Sequence, residues 1–169
     1  MSPAPRNRRL ALGAAALAGV SAATFVVAQS TASSAASPVD FTVRFEAGTF
    51  HYVDAPPMQG PDSFDPSAGD TFVLTNRLFR GGARVGTLHA TCVVTHATSD
   101  PTKTPILCSG AYRLKGGSIL GSAVLSTSGT RNVIGLSGGT GRYAGALGTA
   151  VEVYDSPDSG NGVVRFHLE

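Results

Sequence analysis

The glycine-rich segment from Gly135 to Gly148 contains two spacings that enzymes use in their active sites. The run Gly135-Leu136-Ser137-Gly138-Gly139 has the G-x-S-x-G spacing of a hydrolase nucleophile, which needs a strand, a sharp turn and a helix behind the serine. Gly139 to Ala144 has the G-x-G-x-x-A spacing of a dinucleotide-binding loop, which needs a surrounding βαβ unit. Three further glycines between Thr140 and Gly148 disfavour a helix, and no βαβ pattern surrounds them. Neither chemistry is therefore predicted.

The four histidines do not form a recognisable metal-binding pattern. His89 and His96 lie an odd number of residues apart on one predicted strand, so their side chains point to opposite faces. His51 and His167 lie near the ends of the first and last strands, which closure of a barrel could bring together. The acidic loop from Asp155 to Gly162 lacks the spacing of an EF-hand. No metal site is predicted.

The first 36 residues have the layout of a secretory leader. Arg6, Arg8 and Arg9 precede an apolar stretch from Leu10 to Ala28, and the segment around Arg8 and Arg9 resembles a twin-arginine export signal. We predict that residues 1–36 are a signal peptide and spacer, and that the protein is secreted or extracytoplasmic. The alternative is an uncleaved membrane anchor, since about 19 apolar residues can span a bilayer.

The remainder, residues 38–169, has the composition of a single β-rich domain. The 169 residues are 42% apolar and 14% charged and include 21 glycines, which is enough to bury one core. Outside the leader there are ten basic and eleven acidic residues. This near-neutral balance gives no support for a nucleic-acid partner.

Runs of alternating polarity separated by turn residues predict eight strands and no helix, arranged as an antiparallel sandwich or barrel. In the first run Phe41, Val43, Phe45 and Ala47 share one face. Eight antiparallel strands can close into a barrel with room for a packed interior or one small ligand. The inward positions that decide between these two include Phe45, Phe72, Leu88, Ile119 and Ile134. The predicted strands are Asp40–Phe50, Thr71–Phe79, Arg84–Thr95, Pro105–Lys115, Ser118–Ser126, Asn132–Leu136, Thr149–Tyr154 and Val163–Leu168.

The two cysteines support this pairing. Cys92 and Cys108 are equally far from position 100, which lies in the predicted turn Ser99-Asp100-Pro101. In a hairpin folded at that turn they lie opposite each other on neighbouring strands. An exported protein meets an oxidising compartment, so we predict a Cys92–Cys108 disulfide. The alternative is two buried thiols, because directly opposed strand residues do not always suit disulfide geometry.

The segment from Asn132 to Gly148, with its apolar run, Gly-Gly-Thr-Gly, aromatic residue and Gly-Ala, resembles the signature of plant allene oxide cyclases and dirigent proteins. Gly69 to Phe79 and Val85 to Val94 resemble the second and third strands of that family. The resemblance implies a calycin-like eight-stranded antiparallel barrel with an apolar cavity, no cofactor and often a trimeric assembly. In the cyclases the cavity steers ring closure of an allylic epoxide, and in dirigent proteins it steers the coupling of radical-derived intermediates.

The resemblance also implies roles for individual residues. Asn76 falls where the cyclases have a cavity Asn, Cys92 where they have a cavity Cys, and Phe72 near an apolar wall position. Leu125 falls near the position of the cyclase Tyr. The cyclase Glu of the first strand has no clear counterpart, and the neighbouring positions are Val43, Phe45 and Glu46. The predicted cavity residues are thus Asn76, Cys92, Phe72 and Leu125, and no catalytic residue is assigned.

These features predict an exported barrel that binds an apolar small molecule and steers its cyclisation or coupling. The alternative is a non-catalytic binding or structural barrel with a filled lumen. Because the Glu and Tyr positions are not matched, plant-type cyclisation is not predicted. One of Arg44, Arg77, Arg113 or Arg131 could bind an acidic ligand group at the mouth.

Overall fold

The computed structural model describes residues 38–56 and 66–169, so the predicted leader lies outside the described residues. Eight strands pair in chain order, each antiparallel to the next, and β8 pairs with β1 to close the barrel. The predicted all-β, eight-stranded antiparallel barrel is therefore confirmed. The strands are β1 Val39–Val53, β2 Thr71–Arg80, β3 Ala83–Val94, β4 Pro105–Leu114, β5 Gly117–Ser126, β6 Arg131–Gly139, β7 Gly148–Tyr154 and β8 Gly162–Leu168.

The β3–β4 hairpin has the register that the cysteine positions predicted. Cys92 lies opposite Cys108, and the two form a disulfide with a Cα–Cα distance of 4.0 Å. The intervening connection contains the short 3₁₀ turn Pro101–Lys103, which begins after Asp100. The Asp100 side chain accepts a hydrogen bond from the Thr102 backbone N–H, which satisfies one donor at the start of the turn. The disulfide prediction is confirmed.

The glycine-rich segment lies at the junction of β6 and β7. The β5–β6 register shifts between Leu120 and Gly121, and a 3₁₀ turn, Gly141–Tyr143, follows β6. Gly141 has φ of 60°, and a Cβ there would lie 2.2 Å from the Gly116 carbonyl oxygen. Only glycine fits this conformation and this close approach. Ser137 lies on the exposed outer face, so the segment shapes the barrel and presents no nucleophile to its interior.

The two ends of the barrel differ in packing. At one end, called the closed end, the strands carry the chain entry at Val39 and the β2–β3, β4–β5 and β6–β7 connections. The other end, called the mouth, carries the β1–β2, β3–β4, β5–β6 and β7–β8 connections. The interior towards the closed end is packed with large apolar side chains: Val43, Phe45, Leu78, Ile119, Leu136, Val164 and Phe166. Within residues 38–56 and 66–169 no helix is long and apolar enough to cross a membrane.

Candidate functional site

The half of the barrel nearest the mouth is hollow and contains a cavity of about 420 Å³. The volume is within the usual range of small-molecule sites. Its wall is kept open by small inward residues, namely Ala90 on β3, Gly110 on β4, and Gly121 and Ala123 on β5. Residues of the β7–β8 loop, including Pro157 and Gly160, line the opening. The sequence left open whether the lumen is filled or hollow. The structure shows that it is filled towards the closed end and hollow near the mouth.

A bulge in β1 shapes one side of this cavity. The β1–β2 register shifts between Ala47 and Phe50, so Gly48 and Thr49 together face Thr75 of β2. A Cβ on Gly48 would lie 2.5 Å from the Thr75 carbonyl oxygen, which explains the glycine. The Thr75 hydroxyl satisfies the Thr49 N–H at 3.1 Å. The bulge bends β1 at the mouth, as bulges beside binding sites commonly do.

All four cavity residues predicted from the sequence line this space. Asn76, Phe72, Cys92 and Leu125 contribute to its wall. Asn76 is only 9% exposed and is an inward-facing polar group on the cavity wall. Cys92 contributes a disulfide sulfur, so it supplies no thiol. Whether these residues contact a ligand stays a prediction.

A buried carboxyl group on the cavity wall, that of Glu152, was not identified from the sequence. Glu152 of β7 points into the interior, where its side chain is 5% exposed. The Tyr112 hydroxyl of β4 donates to Glu152 Oε1 at 2.9 Å across the barrel. Asn132 and Tyr154 lie near the same carboxyl group and act to lower its pKa. Three polar side chains from three strands therefore surround one buried carboxyl group. Together with it they form what we call the Glu152 cluster: Tyr112, Asn132, Glu152 and Tyr154.

Aromatic packing fixes the two tyrosines of this cluster. The Tyr112 ring meets Phe166 edge-on at 4.8 Å between centroids, and Tyr154 meets Phe45 in the same manner at 5.0 Å. Both phenylalanines belong to the packed closed half. The cluster therefore lies at the boundary between a dry apolar core and the open cavity. This position holds the hydroxyl groups in place and removes water from beneath the carboxyl group.

Burial controls the protonation of the cluster. Loss of solvent raises the pKa of Glu152 above its ordinary value, and the interactions with Tyr112, Asn132 and Tyr154 offset this only in part. Burial and the negative charge of Glu152 together raise the pKa of both tyrosines. Glu152 is thus an acid whose proton is retained to a higher pH than usual. The tyrosines remain neutral hydrogen-bond donors.

Glu152 was missed because its face depends on long-range register. In the run from Thr149 to Tyr154, alternation with Val151 and Val153 facing inward would predict that Glu152 faces outward. The β7–β8 pairing places Glu152 opposite Val164, which is fully buried. The alternation in β8, with Val164, Phe166 and Leu168 buried, is the signal that could have located it. A one-residue error in the loop between the strands reverses every face.

A second buried carboxylate organises the mouth. Asp70 is fully buried at the start of β2 and accepts hydrogen bonds from the Tyr52 hydroxyl at 2.5 Å, the Ala55 N–H at 2.8 Å and the Ser67 N–H at 2.6 Å. Burial acts to raise the pKa of Asp70, but the hydrogen bonds outweigh it and lower the pKa. Asp70 therefore fastens both described ends of the β1–β2 connection to the barrel.

The structure corrects the expectation that closure of the barrel could bring His51 and His167 together. His51 and His167 lie at opposite ends of the barrel, because His51 pairs with Val73 near the mouth and His167 pairs with Asp40 at the closed end. Strand β1 spans the barrel, so closure cannot bring its far end to the end of β8. In the described part of the chain, no group of three or more His, Cys, Asp or Glu side chains could hold a metal ion.

Most of the arginines considered for an acidic ligand group are engaged or distant. Arg44 binds Asp155 at 2.6 Å, and Arg77 lies 3.7 Å from Glu46. Arg113 is exposed near the closed end of β4. Arg131 is exposed at the mouth end of β6 and is absent from the cavity wall. None of the four lines the cavity.

Comparisons with known proteins agree with this architecture. A family model for the allene oxide cyclase barrel-like domain matches residues 54–159. The chain belongs to this family. None of the curated proteins matches the chain in sequence.

Several solved structures share the fold at low sequence identity. A pyocyanin demethylase is 20% identical with a TM-score of 0.61, over 78% of this chain and 98% of that one. The pterocarpan synthase dirigent protein PsPTS1 is 14% identical with a TM-score of 0.58, over 78% and 92%. The exo-specific intermolecular Diels-Alderase AbnU is 14% identical with a TM-score of 0.60, over 79% and 98%. At these identities the likeness establishes the fold alone.

Proposed function

We propose that the protein is an exported isomerase or cyclase that binds one apolar small molecule in the barrel and moves a proton on it through Glu152. The observation that carries this proposal is the position of the Glu152 cluster on the wall of a 420 Å³ cavity. A carboxyl group with a raised pKa that faces a cavity is suited to general acid–base catalysis near neutral pH. Structural relatives with names of cyclising, coupling and demethylating proteins favour a reactive organic ligand.

The cluster supplies both a proton carrier and hydrogen-bond donors. Glu152 in its protonated form donates a proton to a carbonyl or ring nitrogen of the ligand, and the resulting carboxylate accepts one from a neighbouring carbon or heteroatom. The raised tyrosine pKa values keep Tyr112 and Tyr154 protonated, so their hydroxyl groups stabilise the carboxylate between the two transfers. Asn76 lies elsewhere on the same wall and offers an amide to a ligand oxygen. Such fixed donors in an apolar site favour developing negative charge.

The cavity also predicts the kind of ligand. Its wall is mostly apolar, formed by side chains such as Phe72, Leu88, Ile106 and Leu125, and the described residues that line it include no Lys or Arg. An anionic head group would enter without a cationic partner and would approach Glu152, which is unfavourable. The ligand is therefore an uncharged or weakly basic compound with a polar acceptor at one end. This argues against a free fatty acid.

A carrier without catalysis is the second candidate, and the bridged Cys92 favours it. In the resemblance to the cyclases this position is a free thiol, and here the disulfide removes it. A carrier needs the cavity but not the acidity of Glu152. The two candidates therefore differ in what a change at Glu152 does.

The test begins with mass spectrometry of small molecules that co-purify with the wild-type protein. Ala123→Phe is the cavity-filling control, because Ala123 lines the cavity and a phenyl group there would occupy it. A compound bound by the wild type and lost from Ala123→Phe is the cavity ligand. If no compound meets this criterion, the ligand-binding proposal is wrong.

The captured compound is then incubated with wild type and Glu152→Gln in deuterated water. Catalysis predicts that the wild type incorporates deuterium or rearranges the compound, and that Glu152→Gln does so about 10²- to 10⁴-fold more slowly. A carrier would bind the compound in both forms and change it in neither. That result would reject the isomerase and retain the binding barrel.

A further inference from the structure

The closed end of the barrel carries a group of basic side chains. Five basic side chains lie on three neighbouring segments at the closed end, and all are solvent-exposed: Arg80, Arg84, Arg113, Lys115 and Arg142. The segments adjoin because the Lys115 N–H donates to the Val85 carbonyl at 3.2 Å and the Arg142 N–H donates to the Gly116 carbonyl at 2.8 Å. We call these five side chains the basic end.

The basic end is not neutralised by neighbouring acids. Within residues 38–56 and 66–169, none of its five side chains has a carboxylate oxygen within 4.0 Å. Two acids, Asp40 and Glu169, lie at the same end on the β1–β8 side, and Asp40 is held by His167 at 2.6 Å. The closed end therefore carries an excess of three positive charges over these two acids.

The opposite end has the reverse character. Its described acids are Asp54, Asp70, Asp100, Asp155 and Asp158, and two of its cations, Arg44 and Lys103, are paired with Asp155 and Asp100. A ten-residue strand is about 33 Å long, whereas charges are screened beyond about 8 Å at physiological salt. The two ends therefore act as separate electrostatic surfaces.

Exposed apolar side chains are a further feature of the closed end. Val39 and Leu147 expose apolar side chains at the same end, on the β1–β8 side, and each is 52% exposed. The chain also enters the barrel at this end, because β1 begins at Val39.

We propose that the basic end docks on an anionic phospholipid surface and leaves the mouth facing away from the bilayer. Charge complementarity and exposed apolar side chains are the features of peripheral membrane binding. In this orientation the cavity stays open to ligands in solution. The inference does not rest on the proposed function, because lipid docking requires neither Glu152 nor the cavity.

The test measures co-sedimentation of the full chain with vesicles of phosphatidylglycerol and phosphatidylcholine, compared with vesicles of phosphatidylcholine alone. Each basic residue near an anionic leaflet strengthens binding about fivefold. The double variant Arg84→Gln/Lys115→Gln should therefore bind the anionic vesicles about thirtyfold more weakly than wild type. Raising the salt concentration should also weaken the binding of wild type to the anionic vesicles.

The matched control is Lys103→Gln/Arg131→Gln, which removes the same charge from exposed residues at the mouth. The affinity of this control for anionic vesicles should change by less than about threefold. In the proposed orientation the distance from the mouth to the bilayer is much larger than the electrostatic screening length. The leader is common to every variant, so its own contribution cancels in the comparison. Equal weakening by the two double variants would overturn the proposal, and so would wild-type binding that is no tighter to anionic vesicles than to neutral ones.

Discussion

Replacing Glu152 with Gln should remove a pH-dependent loss of stability that the buried carboxyl group imposes on the barrel. Burial raises the pKa of Glu152 in the folded protein above its ordinary value of 4.5, which represents the unfolded chain. Below the unfolded-state pKa both states hold the proton, so ionisation has no effect on stability. Between the two pKa values the unfolded state loses the proton and the folded state keeps it, so the free energy of unfolding falls as the pH rises.

The size of the effect follows from this linkage. A single group changes the free energy of unfolding by at most about 1.4 kcal/mol per pH unit within that window. The difference in free energy of unfolding, Glu152→Gln minus wild type, should be flat at low pH. It should rise with this limiting slope above pH 4.5 and become flat again above the folded-state pKa. Other titrating groups are common to both proteins and cancel.

Urea unfolding measured across this pH range provides the two curves. Tyr112→Phe is an informative second variant, because it removes the hydroxyl that donates to Glu152 Oε1 at 2.9 Å. Without that donor the ionised form is less stable, so the falling limb of this variant should extend to higher pH than in wild type. A difference curve for Glu152→Gln that is flat throughout would refute the reasoning. A difference that decreases with pH would show that the site stabilises the carboxylate.

Two further predictions concern structural elements around the cavity. Asp70→Asn should destabilise the protein by about 3 kcal/mol, because hydrogen bonds to a charged acceptor contribute about 1.5–3 kcal/mol each. Because the pKa of Asp70 is lowered in the folded protein, its ionisation stabilises the wild type above the unfolded-state pKa. This contribution is lost as the pH falls through the folded-state pKa. The variant lacks the ionisable group, so it should lose less stability in acid than the wild type. Guanidinium unfolding at neutral and acidic pH measures both effects, and equal midpoints for the two proteins would contradict them. Cys92→Ala/Cys108→Ala should lower stability by about 3 kcal/mol, because the bridge closes a loop across a sequence separation of 16. Thermal unfolding of the variant measures this loss, whereas two free thiols in the intact mass of unreduced wild type would show that no bridge forms.

Much of the fold could be predicted because its signals are local. Strand β8 alternates cleanly between buried and exposed residues, and the turn at Asp100 sets the β3–β4 register so that Cys92 faces Cys108. The glycine-rich segment identified the family, and each strand was located to within a few residues. The ends of β1 and β6 were less accurate, because the bulges that extend pairing there depend on neighbouring strands.

The candidate site was predicted only in part. Asn76, Phe72, Cys92 and Leu125 line the cavity, but their carry-over relied on the resemblance to a family whose acidic group is on the first strand. The acidic group of this protein is on β7, and its tyrosine partner Tyr112 is 40 residues away on β4. No local pattern connects these two residues. Matching the strands to those of the resembling family therefore identified residues of the cavity wall but not Glu152.

The sequence by itself determined the eight strands and the β3–β4 register that sets Cys92 opposite Cys108, because alternation, glycine positions and turn residues act over a few neighbouring residues. Only the tertiary structure decided that the interior is packed at one end and hollow at the other. It also decided that Glu152 meets Tyr112 there, and that five exposed cations gather at the closed end. These features arise when strands distant in sequence close into a barrel, since the inward face and the position along the axis are properties of the closed sheet and not of any one strand.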